Sequence, residues 1–86
     1  MTYYQLDQAL GRVGFTDRAW GGNLRTTKMP LVRSNAIAQV EFPYNVTQIT
    51  TVSARFLHQT GEALMPGDIH PVELSEVIRA MLSVTL

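Results

Sequence analysis

Apolar side chains near the start of the chain recur at the three- and four-residue steps of an α-helix. The apolar face consists of Tyr3, Leu6, Ala9, Leu10 and Val13. Thr2 and Gln5 fit a capping box, in which each side chain hydrogen-bonds the backbone N–H of the other residue. Gly14 can take the left-handed conformation that ends a helix, whereas Gly11 is a poor interior residue. The pattern predicts a helix over residues 1–14 that is marginal on its own.

A second helical pattern occupies the end of the chain. Its apolar stripe consists of Leu74, Val77, Ile78, Met81 and Leu82. The opposite face carries Glu73, Glu76, Arg79 and Ser83. Pro71 suits the first helical position, and Glu73 adds negative charge to the first turn. The pattern predicts an amphipathic helix over residues 69–83, followed by an apolar tail, residues 84–86, that docks on the core or on a partner.

Residues 34–66 carry the signals of a β meander. Apolar and polar side chains alternate in its first part, where one face is formed by Ala36, Ala38, Val40 and Phe42. Residues 46–58 fit either a helix or a strand, and their threonines and other β-branched side chains favour the strand. Gly61, in the following turn, suits the left-handed position of a hairpin. We therefore expect about three antiparallel strands.

Residues 15–33 show no clean period. A Gly-Gly-Asn run at residues 21–23 is a strong loop signal, and Pro30 pushes Met29 towards an extended conformation. We expect an irregular basic arm here, with a short strand near its end. Together the elements predict a single small α+β domain, built from an N-terminal helix, a basic loop or arm, an antiparallel meander of about three strands and a C-terminal amphipathic helix.

The composition fits one folded domain whose core is modest. A chain of 86 residues commonly supplements such a core by oligomerisation. Only 16% of the residues are charged and the net charge is zero, which weakens repulsion between copies and favours a homo-oligomer or a permanent partner. The absence of cysteine excludes disulfides and thiolate chemistry. With no secretory signal and no membrane-spanning apolar run, we expect the protein in the cytoplasm or inside a virus particle.

The charges are segregated along the sequence. Residues 12–33 hold five basic side chains and one acid, which gives +4, whereas residues 34–86 hold two basic and five acidic side chains, which gives −3. Neutralising phosphates needs several cations on one surface, but Trp and Arg are also enriched at protein interfaces. The candidate partner-binding residues are Arg18, Trp20, Arg25, Lys28 and Arg33. Because the whole chain is neutral, a protein partner, including a second copy, is favoured over nucleic acid.

Motifs for catalysis, nucleotides and metals are absent or weak. The glycines do not form a phosphate-binding loop, and no serine lies in a nucleophile-elbow pattern. His70 with Asp68 and Glu73 could supply metal ligands, but the same residues suit helix capping. Glu73 and Glu76 fall opposite the apolar stripe, where water solvates them and Arg79 can form a surface ion pair. The sequence thus predicts no catalytic residue, cofactor or metal, and leans towards a protein that is not an enzyme.

Part of the chain resembles the small KTSC domain. The residues that carry the resemblance are Ser34 to Ile37, Val40 to Phe42, Val52 to Phe56, Gly61, and Ile69 to Pro71. In that family a serine-led strand, a hairpin and a proline-started helix follow in similar order. The family's aromatic strand after the glycine and its small-residue ending are absent here, so no functional residue is assigned from the resemblance.

Three functions remain open on the sequence alone. The favoured hypothesis is a non-catalytic protein-interaction module that self-associates or docks on a larger protein, a role suited to an accessory protein of a virus or mobile genetic element. The second is a nucleic-acid-binding protein that uses the basic segment. The third is a small-molecule binder or small enzyme with its site at a subunit interface, because one protomer of this size has little room for a pocket of about 300 Å3.

Overall fold

The structure, a computed structural model, describes residues 1–84, which form two α-helices, one short 3-10 helix (Pro66–Asp68) and one five-stranded sheet. The helices are α1 (Tyr3–Arg12) and α2 (Pro71–Leu82). The strands are β1 (Asp17–Gly21), β2 (Leu24–Leu31), β3 (Ala36–Pro43), β4 (Ser53–His58) and β5 (Ala63–Leu64). They pair antiparallel in the order β1-β2-β3-β4-β5. The predicted α+β class is confirmed, with five strands where the sequence indicated about three.

Both ends of α1 form as the sequence predicts. Thr2 Oγ1 accepts the Gln5 N–H at 3.2 Å, and Gln5 Oε1 accepts the Thr2 N–H at 2.9 Å, which completes the capping box. At the other end Gly14 has a φ of +115°, and the Phe15 N–H donates to the Leu10 carbonyl at 3.0 Å. This bond is the closing bond of a Schellman motif. It ties Phe15, which is fully buried, to the last turn of the helix.

Residues 15–33 are the main correction to the sequence prediction, because they form a hairpin and not an irregular arm. β1 and β2 pair from Asp17 opposite Lys28 to Gly21 opposite Leu24. Gly22, with a φ of +58°, occupies the first position of the two-residue turn, as a type II′ turn requires. The loop prediction was wrong because a tight turn and a loop share the same Gly and Asn signals. β1 also lacks apolar alternation, since all of its residues are exposed.

Pro30 lies within β2 without disturbing the sheet. The Tyr44 N–H donates to the Asn23 carbonyl at 3.2 Å, so the odd-numbered residues of β2 direct their backbone groups towards β3 and the even-numbered ones towards β1. β1 starts at Asp17, opposite Lys28, and does not extend as far as Pro30. The missing N–H of Pro30 therefore faces a position that has no neighbouring strand, where proline is tolerated.

Residues 46–58 divide into a loop and a strand. The segment up to residue 52 is irregular, and β4 then covers Ser53–His58, so the strand preference is confirmed for the second part of the region. Ile49, from the irregular part, is buried in the core, and its N–H donates to the Met1 carbonyl at 2.8 Å. Gly61 has a φ of +96° in the turn to β5, as predicted.

Both helices pack on one face of the sheet, which we call the helix face. On β3 this face carries the four buried residues that the alternation predicts, Ala36, Ala38, Val40 and Phe42. The rest of the core comes from Leu6, Leu10, Phe15, Leu31, Ile49, Ile69 and Val77. The opposite face, which we call the open face, carries a polar row in register, Asp17, Lys28, Gln39 and Arg55.

The α2 helix starts where the sequence places it. Pro71 is its first residue, and the Val72 N–H donates to Nδ1 of His70 at 3.2 Å, so His70 caps the helix. Of the predicted apolar tail, Val84 packs against the core, and residues 85–86 lie outside the described residues.

Candidate functional site

The structure separates the five candidate partner-binding residues into three places. Arg18, Trp20 and Arg25 lie together on the helix face, because Trp20 is opposite Arg25 in the register of the β1–β2 hairpin. Lys28 lies on the open face. Arg33 lies in the turn between β2 and β3, at the far end of the hairpin strands from Trp20. The five candidate residues therefore form no continuous cationic surface.

Acidic side chains of the same chain offset part of the positive charge of this segment. Asp7 of α1 accepts a hydrogen bond from Nε of Arg18 and one from Nε of Arg25, each at 3.1 Å. On the open face Lys28 is directly opposite Asp17, an arrangement in which opposite charges attract across strands. Asp7 was not singled out in the sequence, because nothing in its spacing shows that α1 crosses the two arginines.

Three aromatic rings surround the turn end of the hairpin, and we call Tyr3, Trp20 and Tyr44 the aromatic patch. The Trp20 and Tyr44 ring centroids are 4.5 Å apart in an edge-to-face arrangement, and Tyr3 lies 6.3 Å from Trp20. The Arg25 guanidinium carbon is 4.0 Å from the centroid of the Trp20 ring. The Tyr44 hydroxyl donates to the Gly22 carbonyl at 2.8 Å. These contacts hold the Trp20 indole in one orientation, although 55% of the residue is exposed.

The β1 strand, which carries Trp20, is an edge of the sheet. All five of its residues are exposed. Residues 17, 19 and 21 direct their backbone groups towards the even-numbered residues of β2, so Arg18 and Trp20 direct their N–H and C=O groups away from the sheet. β5 at the other edge spans only two residues. β1 is thus the longer edge, and unpaired edge groups can accept another strand.

A second polar cluster joins the start of α2 to the β2–β3 turn. Glu73 accepts the Ser34 hydroxyl at 2.7 Å and the Arg33 N–H at 3.1 Å. Ser34 Oγ in turn accepts the His70 N–H at 2.9 Å. Glu73 is only 8% exposed, so the prediction that water solvates it was wrong. The helix start packs against the turn between β2 and β3, which sequence spacing does not show.

The surroundings of Glu73 determine its ionisation. Burial raises its pKa, but the hydrogen bonds from Ser34 and from the Arg33 and Ser34 backbone, with the Arg33 charge, outweigh burial and lower the pKa below the ordinary value of 4.5. The Ser34 hydroxyl faces this carboxylate and the His70 backbone, while the His70 ring nitrogen caps α2. Serine, histidine and glutamate are therefore close together without the serine–imidazole contact of a nucleophilic triad.

An apolar groove of about 390 Å3 lies between α2 and the second half of the sheet. Its floor is formed by Ala38, Val40, Ala54 and Phe56. Its rim on α2 includes Ile78 and Leu82, which are 50% and 79% exposed. The sequence prediction that one protomer has little room for such a pocket was wrong, because Ala38 and Ala54 are too small to fill the space beneath α2.

The described residues were also compared with the requirements of a metal site and of a membrane-spanning helix. Within residues 1–84 no group of three or more acidic or histidine side chains is arranged to hold a metal ion. No helix in the same range is long and apolar enough to cross a membrane.

Comparison with known proteins adds no family to this description. No protein-family model matches the chain, and no curated protein or solved structure is significantly similar to it.

Proposed function

We propose that the protein is a non-catalytic protein-interaction module that self-associates or docks on a larger protein through β1 and the aromatic patch. The observation that carries the proposal is the exposed Trp20 side chain, held between Tyr44 and Arg25 at an open sheet edge. A rigid aromatic side chain loses little conformational freedom on binding, and Trp, Tyr and Arg are the residues enriched at interface hot spots.

The charge distribution supports a protein partner over nucleic acid. Arg18 and Arg25 share one carboxylate, Asp7, and the Arg25 side chain is only 11% exposed. A phosphate backbone would have to compete with that ion pair, and binding driven by counterion release needs several free cations on one surface. The aromatic patch and the edge strand stay accessible, and both suit contact with a protein.

Light scattering coupled to size exclusion tests the proposal. The wild-type mass is expected to rise above that of one chain as the concentration increases, and Trp20→Ala is expected to shift this rise to higher concentration. Tyr4→Ala is the matched control, since Tyr4 is an aromatic residue of α1, 60% exposed, outside the patch. A strict monomer at every concentration and salt level would contradict self-association. Quenching of Trp20 fluorescence by DNA or RNA at low salt would favour the nucleic-acid alternative.

A second candidate function, binding of a small uncharged apolar molecule, is favoured by the groove beside α2. Its volume of about 390 Å3 lies within the usual range for ligand pockets, and it is formed within one chain. The uncharged dye N-phenyl-1-naphthylamine is expected to gain fluorescence in the wild type and not in Ala54→Phe, which fills the groove. Ala63→Phe, on the open face of β5, is the control and is expected to keep the gain. No gain in the wild type would contradict this function.

A further inference from the structure

The partner that best fits the β1 edge can be identified from the residues of the strand itself. We infer that β1 pairs antiparallel with β1 of a second copy, about a two-fold axis through Ala19, so that the two five-stranded sheets become one continuous sheet. This inference rests on the proposed function and gives it a partner and a register.

The backbone of β1 permits this register. Arg18 and Trp20 are the residues whose N–H and C=O groups point away from β2. An axis through Ala19 sets Arg18 opposite the partner's Trp20, and Trp20 opposite the partner's Arg18. Two hydrogen-bonded pairs then form, with about four backbone hydrogen bonds between the copies. Ala19, whose own backbone groups bond to β2, occupies the non-hydrogen-bonded position on the axis.

The side chains of β1 are complementary in the same register. On the helix face Arg18, whose guanidinium also contacts Asp7, lies opposite the partner's Trp20, and an arginine next to an aromatic ring is a favourable pair. On the open face Ala19 meets the partner's Ala19, and the close approach of a non-hydrogen-bonded pair suits two methyl groups. Asp17 lies opposite the partner's Gly21, so no like charges face each other across the axis.

Neighbouring symmetric registers fit less well. An axis through Arg18 would place the two Arg18 guanidinium groups directly opposite each other, and like charges in that position repel. An axis through Trp20 would place Arg18 beside the Gly22 turn and lose one of the two hydrogen-bonded pairs. The axis through Ala19 uses both outward-facing residues without a charge conflict, which is why we place the two-fold axis there.

Engineered cysteines test the register, because the natural chain has none and any disulfide must join two copies. In the proposed dimer the two Ala19 Cα atoms are about 4.5 Å apart, within the range that a disulfide spans. Ala19→Cys is expected to cross-link rapidly in a glutathione redox buffer. Ala63→Cys, also an exposed alanine on an edge strand, is the matched control and is expected to cross-link only by slow random collision. Equal rates for the two variants would overturn the register.

A charge substitution at the axis gives an independent readout. Ala19→Lys sets two ammonium groups opposite each other and is expected to raise the dimer dissociation constant about fivefold at low salt, with partial recovery at high salt. Ala63→Lys is expected to leave it unchanged, and circular dichroism checks that both variants fold. An unchanged dissociation constant for Ala19→Lys would overturn the inference.

The outcomes separate the register from the proposed function. If Trp20→Ala weakens association while Ala19→Cys cross-links no faster than Ala63→Cys, the two copies meet at the aromatic patch in another arrangement. The register is then wrong, but the proposed function stands. If the wild type stays monomeric and Ala19→Cys also fails to cross-link preferentially, both self-association and the register fail. An unrelated strand as the natural occupant of β1 would produce this second result.

Discussion

The two helices cover the same face of the sheet in different ways. Beneath α1, Asp7 holds Arg18 and Arg25 in a partly buried ion-pair cluster. Beside the second half of α2 the contact is apolar and incomplete, and it leaves a groove of about 390 Å3. Among the described residues every buried side-chain nitrogen or oxygen has a partner. An unsatisfied buried polar group costs about 1–3 kcal/mol, and apolar surface left uncovered forgoes about 25 cal/mol per Å2. The α1 side avoids the first cost, whereas the α2 side bears the second.

Removing the acid beneath α1 is expected to have the largest effect. Asp7→Ala leaves Arg25, whose side chain is 11% exposed, without its carboxylate and frees Arg18. The free energy of unfolding is expected to fall by about 2–3 kcal/mol, measured by urea denaturation. Asp17→Ala is the control, since this exposed aspartate lies opposite Lys28 in the strand register, and its effect is expected within about 0.5 kcal/mol. Equal effects for the two variants would mean that the Asp7 cluster is no more than a surface ion pair.

The C-terminal end of α1 is a second place on this side of the molecule where a substitution is expected to lower the free energy of unfolding. At Gly14 an alanine Cβ would lie 2.6 Å from Met29 Sδ, and the φ of +115° disfavours any L-residue. Gly14→Ala is expected to lower the unfolding free energy by about 1–2 kcal/mol. Gly21→Ala is the control, because a Cβ at Gly21 would have no atom within 4 Å and the φ of Gly21 is not positive. It shows the effect of replacing a glycine without a clash or an unfavourable φ. A Gly14→Ala variant as stable as Gly21→Ala would show that α1 does not end in this closed motif in solution.

The start of α2 resembles the α1 side, because here too a carboxylate joins the helix to the sheet. Glu73 of α2 accepts hydrogen bonds from the turn between β2 and β3. The lowered pKa of Glu73 means that the folded state binds its proton less readily than the unfolded state. Glu73 therefore stabilises the fold above its ordinary pKa of 4.5, and this contribution is lost as the pH falls through the lower folded-state value. Glu73→Gln is expected to be less stable than the wild type at neutral pH and to approach it in acid, as measured by urea midpoints across the pH range.

Glu76→Gln is the control for the pH experiment, since Glu76 lies on the same helix and is exposed. Its urea midpoint is expected to follow that of the wild type at every pH. A constant difference between Glu73→Gln and the wild type from neutral pH into acid would contradict the assigned ionisation of Glu73.

Much of the fold could be predicted where signals are local. The capping box of Thr2 and Gln5, the glycine ending at Gly14 and the proline start of α2 at Pro71 all act within a few residues of the chain. The alternation in β3 was equally informative, because this central strand buries one whole face. β1 gave no such pattern, since an edge strand exposed on all its residues has no apolar period.

The candidate site depended on contacts that are distant in sequence, which explains why less of it could be predicted. The structure brings Trp20 and Arg25 together, whereas Lys28 lies on the open face. Sequence position alone does not show which face of a strand a residue occupies. Asp7 joined the cluster only through the packing of α1 on the hairpin. Gly11, which looked unfavourable for a helix, lies next to the Arg18 guanidinium. A Cβ there would lie 2.3 Å from one of its nitrogens, so the arginine side chain would have to shift.

The apolar groove gives the smallest expected change in stability and the sharpest test of the contrast between the helices. Leu82 is 79% exposed at the rim, whereas Val77, on the same helix, is 5% exposed in the core. Leu82→Ser is expected to change the unfolding free energy by less than about 0.5 kcal/mol, whereas Val77→Ala is expected to lower it by about 1–2 kcal/mol. Leu82→Ser is also expected to weaken binding of N-phenyl-1-naphthylamine. If it destabilises the protein as much as Val77→Ala does, the groove is closed in solution, and the contrast between a polar, satisfied α1 side and an open α2 side disappears.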